Sequence, residues 1–172
     1  MSLRIATQKQ KFQFLGAPGD TDNLVRIKVP FQLHLSWKLG YTIRSFQCHK
    51  LIAPHLTKIY QELSQLNPDL LADSGIDIWG GCYNFRPVRG TEKKSAPPFS
   101  THSWGAAVDH DPARNGLHTR TDQAHLAKER FTPIHHIFEK YGFINIGKII
   151  GRDWMHFEAS YELISDPKRF LS

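Results

Sequence analysis

The sequence has few cysteines and no long apolar run. Cys48 and Cys82 are the only cysteines among 172 residues, too few for a disulfide scaffold and without the CxxC spacing of a structural zinc site. We interpret both as ordinary core residues, because free cysteine is among the most buried residue types. No stretch approaches the ~18 apolar residues of a membrane-spanning helix, and no apolar run follows the basic N-terminus as in a secretory signal. The sequence therefore predicts neither stable membrane association nor a signal peptide.

Acidic residues are outnumbered by basic ones. The chain has 22 Lys and Arg against 16 Asp and Glu, a net charge of +6, which suits an anionic partner such as nucleic acid, a lipid surface or a wall polymer. Nucleic acid is disfavoured, because the basic residues are dispersed and no recognition motif occurs. Hydrophobic residues make up 40% and charged residues 22%, which excludes disordered, collagenous and coiled-coil chains. We expect one globular domain and a monomer.

Regular alternation of strands and helices is also absent, which argues against a doubly wound sheet. Residues 1–23 predict an irregular N-terminal lead-in, because glycine, proline and aspartate cluster there. The remainder, 24–172, predicts an α+β domain with a mainly antiparallel sheet and flanking helices. The predicted elements are strands over 25–29 and 31–37, a helix over Ala53–Leu66, strands over Ile76–Trp79 and Ala106–Asp109, a helix with Thr132 as N-cap that ends at Gly142, and strands over Phe143–Ile150 and Met155–Ala159.

The candidate metal ligands are concentrated in two short motifs. His102 and Asp109 stand in a loop and at the end of a predicted strand, and His156 follows far downstream. Two imidazole nitrogens and one carboxylate oxygen, with a fourth position left to water, are the ligands of a catalytic tetrahedral zinc. Gly105 lies between the first two residues and provides a turn that aims both side chains at one point.

Two further carboxylates accompany the third candidate ligand. Asp153 reaches the same site as His156 only if it lies in the turn begun by Gly151 while His156 lies inside a strand, because alternate strand positions face opposite sides. A carboxylate placed there suits a general base that removes a proton from water. Glu158 shares the strand face of His156 and is a candidate to orient that ring.

These motifs resemble those of a known family. The pattern Ser-x-His-x-x-Gly-x-Ala-x-Asp over Ser100–Asp109, followed by Asp-x-x-His-x-Glu over Asp153–Glu158, is similar to zinc D-alanyl-D-alanine carboxypeptidases. The likeness is to the VanY-like branch, which includes phage L-alanyl-D-glutamate endopeptidases. The upstream Gly-Cys-Tyr-Asn-Phe-Arg, ending at Arg86, resembles the family's segment with a substrate-facing arginine. The resemblance implies a hedgehog/D-Ala-D-Ala peptidase-like fold and makes 24–172 a zinc peptidase domain.

The resemblance also implies roles for individual residues. It makes His102, Asp109 and His156 the zinc ligands and Asp153 the general base, although many members carry Glu at that position. It makes Arg86 the cation that stabilises the oxyanion. Arg89 precedes the site at a similar distance and stays open as an alternative.

The expected function is hydrolysis of peptidoglycan stem peptides by a zinc-dependent peptidase, either as an L-Ala-D-Glu endopeptidase or as a D-Ala-D-Ala carboxypeptidase. We expect synthesis in the cytoplasm and action at the bacterial cell wall, as for a phage or prophage lysis enzyme. A non-catalytic, zinc-stabilised binding module is the alternative. A serine triad is disfavoured because no Gly-x-Ser-x-Gly elbow occurs, and a Cys82 nucleophile because nothing places it at a helix N-terminus.

Overall fold

The computed structural model describes residues 2–171. The strands are β1 (Leu24–Leu35), β2 (Thr42–His49), β3 (Ile78–Gly81), β4 (Ala107–His110), β5 (Phe143–Asn145) and β6 (His156–Ala159). The α-helices are α1 (Gln8–Leu15), α2 (Ala53–Leu63), α3 (Pro68–Ser74), α4 (Pro112–Asn115), α5 (Thr132–Lys140), α6 (Gly147–Ile150) and α7 (Tyr161–Ser165). Short 3-10 turns cover Thr21–Asn23, Thr101–Trp104, His125–Ala127, Glu129–Phe131 and Pro167–Phe170.

The strands form one sheet in the order β2-β1-β3-β4-β6-β5. Strands β1 and β3 run parallel, while the other neighbouring pairs run antiparallel. This confirms the predicted α+β class with a mainly antiparallel sheet. No helix within residues 2–171 is long and apolar enough to cross a membrane.

Strand β1 shows the period-2 burial that its sequence predicts. Ile27, Val29 and Leu33 are buried, and the polar residues between them are exposed. The two predicted strands are one continuous strand, with a register shift between Lys28 and Leu33. The second predicted strand extended to Trp37, but this residue is exposed and lies beyond the end of β1. The predicted strand was therefore two residues too long. Strand β2, which the sequence pattern missed, pairs with β1.

Helices α2 and α5 cover one face of the sheet. Helix α2 ends at Leu63, three residues before the predicted end, and buries Leu56, Ile59 and Tyr60. Helix α5 contributes Phe138, whose ring stacks on that of Phe157 of β6 at a centroid distance of 4.0 Å.

The predicted N-cap of α5 is wrong. Phe131 occupies that position without a side-chain cap, and Thr132 is the first residue of the helix. A 3-10 turn leads directly into the helix, so the preceding chain already supplies helical backbone there.

The lead-in predicted to be irregular contains helix α1. Thr7 and Gln10 form a capping box: the Thr7 hydroxyl accepts from the Gln10 backbone N–H at 3.2 Å, and the Gln10 side chain accepts from the Thr7 N–H at 2.9 Å. This Thr-x-x-Gln signal is present in the sequence. The prediction of an irregular lead-in rested on the downstream glycines, proline and aspartates alone.

The strand predicted over Phe143–Ile150 is also too long. Strand β5 stops at Asn145, whose side-chain oxygen accepts from the Gly147 N–H at 2.9 Å and whose amide donates to the Trp154 carbonyl at 2.8 Å. A Cβ at Gly147 would lie 2.4 Å from the Trp154 ring. Asn145 and this close approach turn the chain into helix α6 instead of extending the sheet.

Candidate metal centre

Strands β4 and β6 place two of the candidate ligands side by side. Asp109 and His156 are direct partners in the antiparallel ladder, so their side chains project from the same sheet face. The alternate residues Val108 and Phe157 are also partners and point to the face that α2 and α5 cover. The site therefore lies on the sheet face opposite those helices.

His102 comes from the 3-10 turn before β4. The Ser100 hydroxyl caps this turn, and Gly105 ends it in the left-handed region at φ 66°. A Cβ at Gly105 would lie 2.9 Å from Leu24 and 3.1 Å from the backbone nitrogen of His49, so glycine is needed for both conformation and space. The chain turns here, as predicted, and His102 faces Asp109.

The three side chains converge on one point. His102 Nε2 lies 3.1 Å from both Asp109 Oδ1 and His156 Nδ1, and His156 Nδ1 lies 3.0 Å from Asp109 Oδ1. Ligand atoms about 2.0–2.1 Å from a tetrahedral zinc lie about 3.3–3.4 Å from one another, close to this triangle. The cluster could therefore hold a metal ion.

The outer hydrogen bonds fix which ring nitrogens face the cluster. His102 Nδ1 donates to the Cys82 carbonyl at 2.6 Å, so Nε2 presents its lone pair. His156 Nε2 donates to Glu158 Oε2 at 3.0 Å, so Nδ1 presents its lone pair. Two nitrogen lone pairs and a carboxylate oxygen thus meet, and a donor set of this kind fits a cation.

The pKa shifts of the buried carboxyl groups and of His156 show that the site stabilises positive charge. Burial raises the pKa of Asp109, but the charges of His102 and His156 and their hydrogen bonds hold it well below the usual range. Burial lowers the pKa of His156, but Asp109 and Glu158 raise it to about 10, and a metal ion would take the place of the extra proton on Nδ1. Burial raises the pKa of Glu158, but Lys11, His156 and Thr101 lower it to about 2.

Asp153 lies where the sequence argument requires it. It occupies the turn before β6 with a left-handed backbone at φ 65°, which is uncommon for a non-glycine residue, and His156 is the first residue of the strand. Asp153 Oδ1 is buried and has no hydrogen-bond partner within residues 2–171. Burial raises the pKa of this carboxyl group. Asp153 is not a member of the three-residue cluster.

Two clefts meet at the cluster. One, of about 200 Å³, is lined by Asp153 and His156, and the other, of about 310 Å³, by His102 and Trp37. The residues that line both clefts are Arg86, Arg89 and Asp109.

The two arginines differ in burial. Arg86 is partly buried and Arg89 is exposed. Burial and the charge of Arg89 lower the pKa of Arg86, which stays a cation at neutral pH because guanidinium is so basic. The Nε of Arg86 is buried without a partner within residues 2–171.

A comparison with protein families bears on this site. A family model described as D-alanyl-D-alanine carboxypeptidase matches residues 93–159. Over these residues the chain is similar to that family. The match supports a carboxypeptidase-like hydrolase, and the matched range contains the whole cluster and Asp153. Arg86 and Arg89 precede the range that matches the carboxypeptidase family. No curated protein and no solved structure matches the chain.

Sequence reasoning missed three groups around the cluster. The Cys82 carbonyl orients His102, but every residue has a carbonyl, so no sequence signal marks it. Thr101 and Lys11 contact Glu158. Thr101 is adjacent to a candidate ligand in the sequence, which is a signal for a supporting role. Nothing in the sequence shows that Lys11 is buried.

Proposed function

We propose that the chain is a zinc-dependent peptidase of bacterial peptidoglycan stem peptides, with His102, Asp109 and His156 as zinc ligands. The convergence of three lone-pair donors near Asp153, whose buried Oδ1 has no hydrogen-bond partner within residues 2–171, carries the proposal. Two imidazoles and a carboxylate would hold the zinc, which when bound would supply Lewis-acid chemistry: polarisation of a scissile carbonyl and a lower pKa, about 7, for a water molecule.

The protein's own groups supply the proton transfers. Asp153 accepts a proton from the attacking water as the new C–O bond forms. It then returns that proton to the leaving amine nitrogen as the C–N bond breaks. The Arg86 guanidinium donates N–H groups to the carbonyl oxygen as negative charge develops there. The partly buried position of Arg86 beside Asp109 and Asp153 supports this role.

Cleavage within the stem peptide is favoured over removal of its last residue. An endopeptidase needs room for substrate residues on both sides of the reacting bond. Two clefts meet at Asp109, one lined by His156 and the other by His102, which supports an L-Ala-D-Glu endopeptidase.

A D-Ala-D-Ala carboxypeptidase is the second candidate. Such an enzyme needs a cation to capture the terminal carboxylate of its substrate. Arg89 is exposed and borders both clefts, and a guanidinium binds a carboxylate in a bidentate pair.

Metal analysis separates a catalytic centre from a closed structural site. We expect one zinc per chain, bound by three protein ligands, because the cluster in the described part of the chain has three members. A chelator should lower the melting temperature, since zinc stabilises the state that binds it. Elemental analysis and thermal denaturation measure this. A fourth protein ligand would favour the non-catalytic module, and a metal-free protein would contradict both proposals.

Product analysis separates the two peptidase reactions. Digestion of purified muropeptides, followed by mass spectrometry, should release peptides that begin with D-glutamate. Free D-alanine as the sole product would establish the carboxypeptidase instead. The absence of both products from a zinc-loaded protein would favour the binding module.

A matched pair of variants distinguishes the two arginines. Arg86→Met should lower kcat by about 10²–10³-fold, the usual effect of removing one donor from an oxyanion site. Arg89→Met should change kcat by less than tenfold, because the exposed side chain lies in solvent. Steady-state kinetics on a muropeptide measures both. The reverse ranking would assign the oxyanion role to Arg89.

A further inference from the structure

A buried lysine lines the same cleft as Asp153 and His156. Lys11 comes from helix α1, and its side chain is 7% exposed, while that of Glu158 is 6% exposed. Lys11 Nζ donates to Thr101 Oγ1 at 2.5 Å and lies 3.4 Å from Glu158 Oε1. An ammonium group and a carboxylate thus face each other away from solvent, 147 positions apart in sequence.

The contacts hold both oxygens of the carboxylate. Oε1 of Glu158 faces Lys11, while Oε2 accepts from the Thr101 hydroxyl at 2.7 Å and from His156 Nε2 at 3.0 Å. Because each oxygen has its own donor, the carboxylate cannot rotate without breaking a hydrogen bond or the ion pair. The His156 ring is fixed in turn, with Nδ1 directed at the cluster.

Stability alone does not account for this pair. Apolar residues of similar volume often replace a buried ion pair without loss of stability, whereas a buried charge left alone is costly. A carboxylate that must be held in place to orient a histidine is a reason for buried donors at both of its oxygens.

We propose that Lys11 and Thr101 are positioning residues: they clamp the Glu158 carboxylate, which orients His156 toward the metal. Helix α1 then supplies a part of the metal centre, although it lies far from the ligand motifs in sequence. This inference rests on the proposed zinc site.

The zinc affinity of Lys11→Met tests the clamp. We expect the dissociation constant for zinc, measured by competition with a chromophoric chelator, to rise about 10–100-fold, as is usual when a group that orders a ligand is lost. Lys9→Met is the matched control, because Lys9 lies on the same helix and is exposed, and it should bind zinc like the wild type. The visible spectrum of the cobalt(II)-loaded Lys11→Met protein should also change, since it reports ligand geometry.

A double-mutant cycle shows whether Lys11 acts through Glu158. Glu158→Gln should weaken zinc binding, and adding Lys11→Met should then have little further effect, because residues in one network are not additive. Fully additive effects would overturn the proposal, as would wild-type zinc affinity and cobalt spectrum in Lys11→Met.

The test also covers a Lys11→Met variant that does not fold and a wild-type protein that binds no zinc. If Lys11→Met does not fold, Thr101→Val takes its place: weaker zinc binding supports the clamp and unchanged binding overturns it. A wild-type protein that binds no zinc would instead overturn the metal centre itself, which separates failure of the proposed function from failure of the clamp.

Discussion

Asp153→Asn is expected to keep its zinc and to lose about 10²–10⁴-fold in kcat, the contribution of general acid–base catalysis. The substitution keeps the size and the turn of the chain but removes the basic oxygen. Zinc content should stay at the wild-type level, because Asp153 is not part of the ligand cluster. Elemental analysis and muropeptide kinetics on the same preparation measure both quantities.

Two companion variants sharpen this test. Asp122→Asn removes a carboxylate that is 77% exposed and should leave kcat unchanged. Asp153→Glu restores a carboxylate with one more methylene and should recover more activity than Asp153→Asn. Turnover within tenfold of the wild type in Asp153→Asn would assign the base to another residue, and loss of zinc would make Asp153 a ligand.

Phe157→Ala is expected to destabilise the protein by about 3–5 kcal/mol, the usual cost of emptying a large buried aromatic site. Phe157 is fully buried, and its ring stacks on Phe138 and on His135. For a domain of this size the melting temperature should fall by roughly 6–20 °C. Thermal and urea denaturation of the metal-free protein measure the change without a contribution from zinc binding.

The control for this variant is Leu39→Ala. Leu39 is 100% exposed, so its truncation should change stability by less than about 0.5 kcal/mol. A loss below about 1 kcal/mol in Phe157→Ala would mean that the surrounding rings collapse into the space.

The sequence predicted those features that depend on local periodicity. Alternation over β1 and helical spacing over α2 were sufficient, because each element buries one face against the core. The prediction failed where tertiary contacts determine the end of an element. Strand β5 ends because the Asn145 side chain forms hydrogen bonds with Gly147 and Trp154, and Trp154 is nine positions away. A strand pattern over hydrophobic residues contains no sign of that contact.

In the site, too, local sequence predicted some features, while tertiary contacts determine the others. Residue types and spacing predicted which side chains the structure brings together, but not which nitrogen of each ring faces the cluster. The ring orientation depends on the Cys82 carbonyl and on Glu158. Lys11 was beyond prediction, because a lysine on a short polar helix is usually solvated.

The separation of Lys11 from Glu158 has a consequence for biosynthesis. The helix that carries Lys11 leaves the ribosome before its carboxylate partner, which follows 147 positions later. Contacts of such high sequence separation form late, because the intervening chain must first be ordered. A nascent chain that has not yet released β6 has neither His156 nor the group that orients it. Tight metal binding would therefore report that the chain from α1 to β6 has folded, and a pulse-labelled chain would acquire it only after synthesis passes β6.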